Sequence, residues 1–285
     1  MRITVVGGMN LDLLGTPENV LLPRDSVPGH IAVRPGGVGR NIAARLKELG
    51  AQVSLITAVG CDVRAAMLAQ MCHEAGIDLS HAVQTPCPAP CYLCIHDQNG
   101  DMIYAVNDMA AMNELTPRKA ETFMDWINQS DGCVLDANVP EETLSYIARH
   151  ASVPLILDPV STVKAVRALP ILPDLTAIKP NLIEAKTLTG ETDAVQAGEK
   201  LLSMGVKNVC ISLGAEGVYY ASVHDKGLIP ARKLTFLPQT GAGDAFCAGL
   251  TKGLLSGLSL RESAQLGCDT AFFALSRAKN DQMAL

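Results

Sequence analysis

GCVLDANVPEETLSYIARHASVPLILDP (residues 132–159) sets two short apolar runs, each closing on polar residues, a helix-length segment apart. The spacing recurs in LTAIKPN (175–181) and VCISLG (209–214), again with helix-length stretches between. Such runs mark a parallel sheet with crossover helices, because parallel neighbours need a long return connection and bury both faces of the sheet. The alternation is also present upstream, in ITVVG (3–7), a helical stretch over 38–49 with Val38, Ile42, Leu46 and Leu49 in one stripe, VSLITAVG (53–60) and a helical stretch over 65–75. Two segments break it. HIAVRP (30–35) and the run from Cys91 to Val106 read as half-exposed strands inserted among the first strand–helix units, with CYLCI and MIYAV paired across Asn99-Gly100. No internal repeat or linker divides the chain, so the expectation is one α/β domain over residues 1–285 carrying a small sheet that could act as a lid, its strands inserted at about 12–35 and 88–108.

The 285 residues are 48% hydrophobic, enough to bury a large core. Lys and Arg number 23 against 29 Asp and Glu, a formal charge of -6, and no basic block stands out; small ligands are expected rather than nucleic acid. MRITVVGGMN reads as a buried first strand rather than an export signal, and no apolar run reaches membrane-spanning length. Nine cysteines scattered through presumed strands and helices fit a reducing cytoplasm. Cys87, Cys91, Cys94 and His96 lie close enough to raise zinc, but Cys-x-x-Cys has no second pair downstream, and small fillers of a hairpin are the expected role.

Ligands of an open α/β sheet collect beyond the carboxyl ends of its strands. The residues there are polar: Asn10 and Asp12 after the first run, PGGVGRN (35–41) after the inserted strand, then Asp158 with Ser161, and Lys179 with Asn181 and Glu184. GGVGRN lacks the context of a dinucleotide fingerprint. Its glycines, with Asn41 as donor and acceptor and Asp12 as acceptor, suit a sugar with vicinal hydroxyls; a turn running into a helix explains them equally well. TGAGDAFCAGL (240–250) runs tiny residues into an acid and then into a helical stripe of Phe246, Leu250 and Leu254. The amides of Gly241, Ala242 and Gly243 could hold developing negative charge, and Asp244 could take a proton from a hydroxyl. The competing reading is a turn with a capped helix. Neither a Walker A sequence nor a protein-kinase catalytic loop is present.

Taken in order, GGVGRN, DPVS, KPNLIE and TGAGDAF resemble the ribokinase-like (PfkB) family of carbohydrate and nucleoside kinases over nearly the whole chain. NLD after the first strand, PGGVGRNIA with Arg40, the VND of residues 106–108 and DPVS are most similar, within that family, to pseudouridine kinases. The resemblance implies a Rossmann-like three-layer core with a mainly parallel sheet and a β lid, ATP as donor, Mg2+, and phosphoryl transfer to the 5′-hydroxyl of a ribosyl compound. Pseudouridine is the best match, with another nucleoside, a ribokinase-type sugar, or a silent sensor as alternatives.

In that reading Asp244 orients and deprotonates the hydroxyl beside the amides of Gly241, Ala242 and Gly243. Asn10, Asp12, Gly36, Gly37, Arg40 and Asn41 hold the acceptor, and Asn107 and Asp108 close over it. Thr240, Asn181, Ser212, Gly214 and Gly217 meet the nucleotide. Asn181 and Glu184 organise hydrated Mg2+, and Lys179 either meets phosphate or snorkels from its strand end. A monovalent cation also occurs in parts of the family, but the loop near 277–281 offers no clear ligand set. Lids of this family often pair, so the resemblance allows a homodimer through the lid. The helix N-terminus is expected to lower the pKa of Asp244 and weaken it as a base. A nicotinamide-dependent oxidoreductase is disfavoured by the missing fingerprint and partner set.

Overall fold

The computed structural model describes residues 1–98, 100–233 and 241–283, with side chains described up to residue 277. In chain order the strands are β1 (Arg2–Val6), β2 (Asn10–Pro17), β3 (Gly29–Gly36), β4 (Gln52–Ile56), β5 (Ala58–Val59), β6 (Val83–Gln84), β7 (Cys91–His96), β8 (Met102–Asp108), β9 (Gly132–Asp136), β10 (Leu155–Asp158), β11 (Ala177–Ile178), β12 (Asn208–Ser212), β13 (Val218–Ser222) and β14 (Lys226–Ile229).

Eight of them form one sheet in the order β14-β13-β12-β11-β10-β9-β1-β4. The six from β12 to β4 run parallel, and the β13–β14 hairpin closes one edge antiparallel. Side chains of a strand alternate between faces, and here both faces are buried. Ile3 and Val5 of β1, Val134 of β9 and Ile156 of β10 pack on one side with Ile42 and Leu46 of the helix Val38–Glu48. Val6, Cys133, Leu135, Leu155 and Leu157 pack on the other with Leu144 and Ile147 of the helix Glu141–His150. Each fully buried branched side chain contributes about 1.5–3 kcal/mol, and the result is the helix–sheet–helix sandwich that the apolar runs imply.

A second sheet of order β3-β2-β7-β8 stands apart from the first. β2–β3 and β7–β8 are antiparallel hairpins joined through the parallel pair β2–β7. The CYLCI–MIYAV hairpin expected from the sequence is thus present; Asn99 of its turn lies outside the described residues. All of β8 is exposed, and Ile31, Leu93, Met102, Tyr104 and Val106 are apolar residues open to solvent.

The stripe of Phe246, Leu250 and Leu254 belongs to the helix Ala242–Leu255, which packs on the last helix, Leu260–Met283. Gly249 and Gly253 let the two backbones touch, since a Cβ there would stand 2.7 Å from the Cα of Gly267 and of Ser263 respectively. The last helix runs through residues 277–281, so that segment is not the loop the sequence suggested. No helix among the described residues is long and apolar enough to cross a membrane.

β1 has β4 on one side and β9 on the other, so the chain reverses direction across the sheet at the carboxyl end of β1. A crevice opens at such a point, and the polar strand ends converge on it.

Candidate active site

Asp136 ends β9, fully buried, and its carboxylate accepts from the N–H groups of Gly8 and Asn138, each at 2.8 Å. Asp158 ends β10, also buried; it accepts from the Val160 N–H at 2.8 Å and pairs with the ammonium of Lys179 at 3.1 Å. Burial disfavours the charged ammonium, yet Asp158, Cys247, Glu184 and Asp244 together hold its pKa above the ordinary lysine value. Lys179 is therefore a buried countercharge at the floor of the crevice, not a side chain reaching for solvent.

Asp244 lies in the first turn of the helix Ala242–Leu255, whose N-cap Gly241 has φ +88 and offers no side-chain cap. The first three N–H groups of that helix, on Ala242, Gly243 and Asp244, cannot bond within it and have no partner among the described residues. They face the crevice entrance as an anion cradle. Lys179 sits beneath it, because a Cβ on Gly243 would come within 3.2 Å of the ammonium. Asp244 Oδ2 accepts from Asn41 Nδ2 at 2.7 Å. Its pKa is pushed up to about 6 by burial and by Asp158, against the lowering effects of Asn41 and Lys179. The direction is opposite to the depression expected from the helix terminus: loss of solvent, followed by a second carboxylate, raises the value.

Two cavities flank this acid. The larger, about 310 Å³, is lined by Asn181, Ser212, Gly214 and Gly217 on one side and by Ala242, Gly243 and Phe246 on the other, with Phe272 from the last helix. Gly214 and Gly217 form the β12–β13 turn that the hairpin reading of SLGAEG expects, and both also line this cavity. Gly214 has open space where a Cβ would go, whereas Gly217 is required by the Ile229 carbonyl, 2.0 Å from that position. Thr240 lies outside the described residues.

The smaller cavity, about 200 Å³, is lined by Asn10, Asp12, Gly37 and Asn41 together with Tyr92 and Asn107 of the second sheet. Asp12 accepts from Asn10 at 2.5 Å, and burial raises its pKa against the pull of Asn10 and Arg40. Gly37 has φ +95, and a Cβ there would lie 2.5 Å from the Gly8 carbonyl, so the chain enters the helix Val38–Glu48 over bare backbone. Gly36 and Arg40 support this wall without lining it. Gly36 makes room for the Asp12 carboxylate, while Arg40 donates to the Pro35 carbonyl and keeps a buried, unpartnered Nε. Asp108 is exposed and accepts from the Ala110 N–H at 3.2 Å, a local turn rather than a cavity wall.

Asn181 and Glu184 form a reciprocal capping box at the helix Leu182–Thr189, at 2.8 and 2.9 Å. Glu184 is only 5% exposed, so it is not the solvated carboxylate that a surface helix would carry. The capping bonds engage Asn181 Oδ1 and Glu184 Oε2, leaving Glu184 Oε1 as the free oxygen of the pair. No group of three metal-ligating side chains occurs among the described residues. Cys91 and Cys94 are buried, with Cys94 Sγ 3.4 Å from His96 Nε2.

Sequence reasoning passed over Asn138, Val160 and Lys164 in the smaller cavity, and Arg232 and Phe272 in the larger. The first three sit just past β9 and β10, where the rule of strand carboxyl ends applies; Phe272 lies deep in the last helix and carries no such signal.

The structure is thus a three-layer α/β sandwich with a detached four-stranded sheet, and the acid at its bare helix terminus has neighbours lining one cavity and its partner Asn41 lining another. The pfkB family carbohydrate kinase model matches residues 1–282. The chain is 31% identical to the pseudouridine kinase of Escherichia coli (strain K12), spanning 99% of this chain and 94% of that one. Among solved structures it is similar to the ribokinase of Thermotoga maritima, with TM-score 0.86 and 25% identity over 96% of this chain and 92% of the other. It shares its fold with Arabidopsis thaliana ribokinase complexed with ribose and ATP, at TM-score 0.83 and 20% identity over 96% and 92% of the two chains. The chain belongs to the pfkB family of carbohydrate kinases and has the ribokinase-like fold.

Proposed function

We propose that the protein transfers the γ-phosphoryl group of ATP to the 5′-hydroxyl of a ribosyl compound, with pseudouridine as the preferred acceptor. The observation that carries this is the seat of Asp244: its neighbours Ala242 and Gly243 line the larger cavity, while its partner Asn41 lines the smaller. ATP belongs in the larger cavity, its adenosine against Phe246 and Phe272 and its phosphates at the cradle. The acceptor belongs in the smaller, its vicinal hydroxyls on Asp12 and Asn10. The same fold holds ribose and ATP in the Arabidopsis protein, and the Escherichia coli relative supports the choice of nucleoside.

With Oδ2 held by Asn41, Asp244 turns its other oxygen to the acceptor hydroxyl, fixing its line of approach and taking its proton as the new O–P bond forms. A pKa of about 6 leaves the acid mostly ionised at pH 7 yet closer in basicity to its task than an ordinary aspartate. The unpartnered amides and Lys179 stabilise charge on the migrating group. Asn181 and Glu184 would hold a hydrated magnesium ion, which would neutralise charge on the phosphates when bound; Glu184 Oε1 is not engaged by the capping box. A monovalent cation finds no ligand set that assigns it. The nine free thiols fit a cytoplasmic setting.

An ADP-release assay with magnesium and ATP tests the substrate, offering pseudouridine, uridine, adenosine, cytidine, ribose and fructose. Pseudouridine is expected to give the highest kcat/KM. A preference for ribose or fructose would replace the nucleoside reading with a ribokinase-type one, and ATP binding without turnover of any acceptor would favour a sensor.

The second sheet serves as the lid of the acceptor cavity through Tyr92 and Asn107, and its exposed apolar residues are the pairing surface of a homodimer. Sedimentation velocity is expected to show a dimer that Tyr104→Glu dissociates; a monomeric wild type at all concentrations would remove the claim.

A further inference from the structure

The lining of the acceptor cavity combines two kinds of polar group: the Asp12 carboxylate with Asn10 beside it, and the Lys164 ammonium with Asn138. Asn138, Val160 and Lys164 are not employed by the reading above. Lys164 Nζ donates to Asn138 Oδ1 at 2.5 Å, and Asn138 is itself fixed. Its N–H donates to Asp136, and Arg167 Nη1 donates to the carbonyls of Ala137 and Asn138 at 3.0 and 3.1 Å. One of three ammonium donors is thereby spent on a rigid partner, leaving two for whatever fills the cavity.

Val160, which lines the same cavity, has φ +68, a left-handed conformation that a β-branched residue reaches only under strain. The Asp158 carboxylate holds it there through the Val160 N–H, and Asp158 is anchored in turn by Lys179. The segment from β10 to Lys164 is thus braced at one end by the buried Asp158–Lys179 pair and at the other by the hydrogen bond from Lys164 to Asn138, which together fix where the ammonium stands.

A ligand that matches this lining presents hydroxyl donors to Asp12 and a strong acceptor to Lys164. A free pentose offers the ammonium only hydroxyl oxygens, which are weaker acceptors than carbonyls. A ribosyl compound whose ring substituent carries carbonyl oxygens has the required polarity. We propose that Lys164, positioned by Asn138, is the specificity-determining residue that binds a carbonyl oxygen of a pyrimidine-type group on the acceptor's anomeric carbon. The inference rests on the acceptor-site reading given under Proposed function and assigns the side chain that selects nucleoside over bare sugar. Partial desolvation of Lys164, whose pKa burial lowers, strengthens such a bond.

Initial-rate kinetics with wild type, Lys164→Met and Lys164→Gln test it on three acceptors: a pyrimidine nucleoside with ring carbonyls, the riboside bearing a phenyl ring instead, and free ribose. The readout is the ratio of kcat/KM for the carbonyl nucleoside to that for the phenyl riboside. Lys164→Met is expected to lower this ratio about 10- to 100-fold, the worth of a hydrogen bond from a charged donor. Lys164→Gln keeps a neutral donor and recovers part of it. ADP binding and the melting temperature report folding independently. A ratio unchanged in folded Lys164→Met overturns the inference, as does a wild type that uses the carbonyl and phenyl compounds equally; both leave the acceptor site standing. A wild type that binds ADP and turns over none of the three overturns the acceptor-site reading itself, and this inference with it.

Discussion

Asp244→Asn lowers kcat about 10²–10⁴-fold while leaving ADP and acceptor binding in place, the loss typical of removing a positioned general base. The amide can still accept from Asn41, so the wall of the acceptor cavity survives and only proton acceptance is lost. The same substitution raises stability at pH 7. The Asp244 pKa is raised by folding from its ordinary 3.8 to about 6, so its contribution favours the fold at low pH and is lost as pH rises through about 6. At 1.36 kcal/mol per pH unit the ceiling is about 3 kcal/mol, and partial exposure of the side chain reduces the expectation to about 1–2 kcal/mol. Denaturant titration of both proteins at pH 7 and pH 5 reads this, with the gain shrinking at pH 5. A variant that keeps more than a tenth of wild-type kcat removes Asp244 from the chemistry.

Lys179→Met has the largest expected effect on the fold, a loss of about 3–5 kcal/mol, because it leaves the buried Asp158 carboxylate without its countercharge. Both side chains are about 5% exposed, so water cannot take over the role of the ammonium. A second consequence concerns Asp244. Lys179 is one of the groups that hold its pKa down, so removing it is expected to move the acid limb of the kcat/KM profile, which reports the free enzyme, to higher pH than in wild type. Urea unfolding and a pH–rate series check the two effects. A loss below about 1 kcal/mol would mean that the pair is solvated in solution, as exposed pairs are.

These effects were only partly visible in the sequence. The apolar runs ending in DAN, DPV and KPN were sufficient for the parallel sheet and for the end at which its polar groups gather, because strand periodicity and crossover length are local properties. The turns at Gly37 and Gly241 were legible too, since glycine just ahead of a helical stripe marks backbone that other residues rarely adopt, and both have positive φ. What was hidden depends on strands brought together from distant parts of the chain. Asp136 and Asp158 become neighbours only when β9 and β10 pair, and it is their proximity, with burial, that reverses the expected pKa of Asp244. Lys179 reads as a strand-end lysine until its partner at the end of β10 is known. The resemblance sets Glu184 with Asn181 at hydrated Mg2+, but nothing local shows that packing removes it from water and that a capping box takes one of its oxygens. The left-handed Val160 has no signature, because nothing in DPVS marks a β-branched residue for that conformation.

The most direct test of the account is a crystal structure of the ternary complex with a non-hydrolysable ATP analogue and the preferred acceptor. The free oxygen of Asp244 is predicted within hydrogen-bond reach of the acceptor's primary hydroxyl, with the amides of Ala242 and Gly243 on the γ-phosphate. A carboxylate turned away from that hydroxyl, or a γ-phosphate bound elsewhere than at this helix terminus, would contradict it.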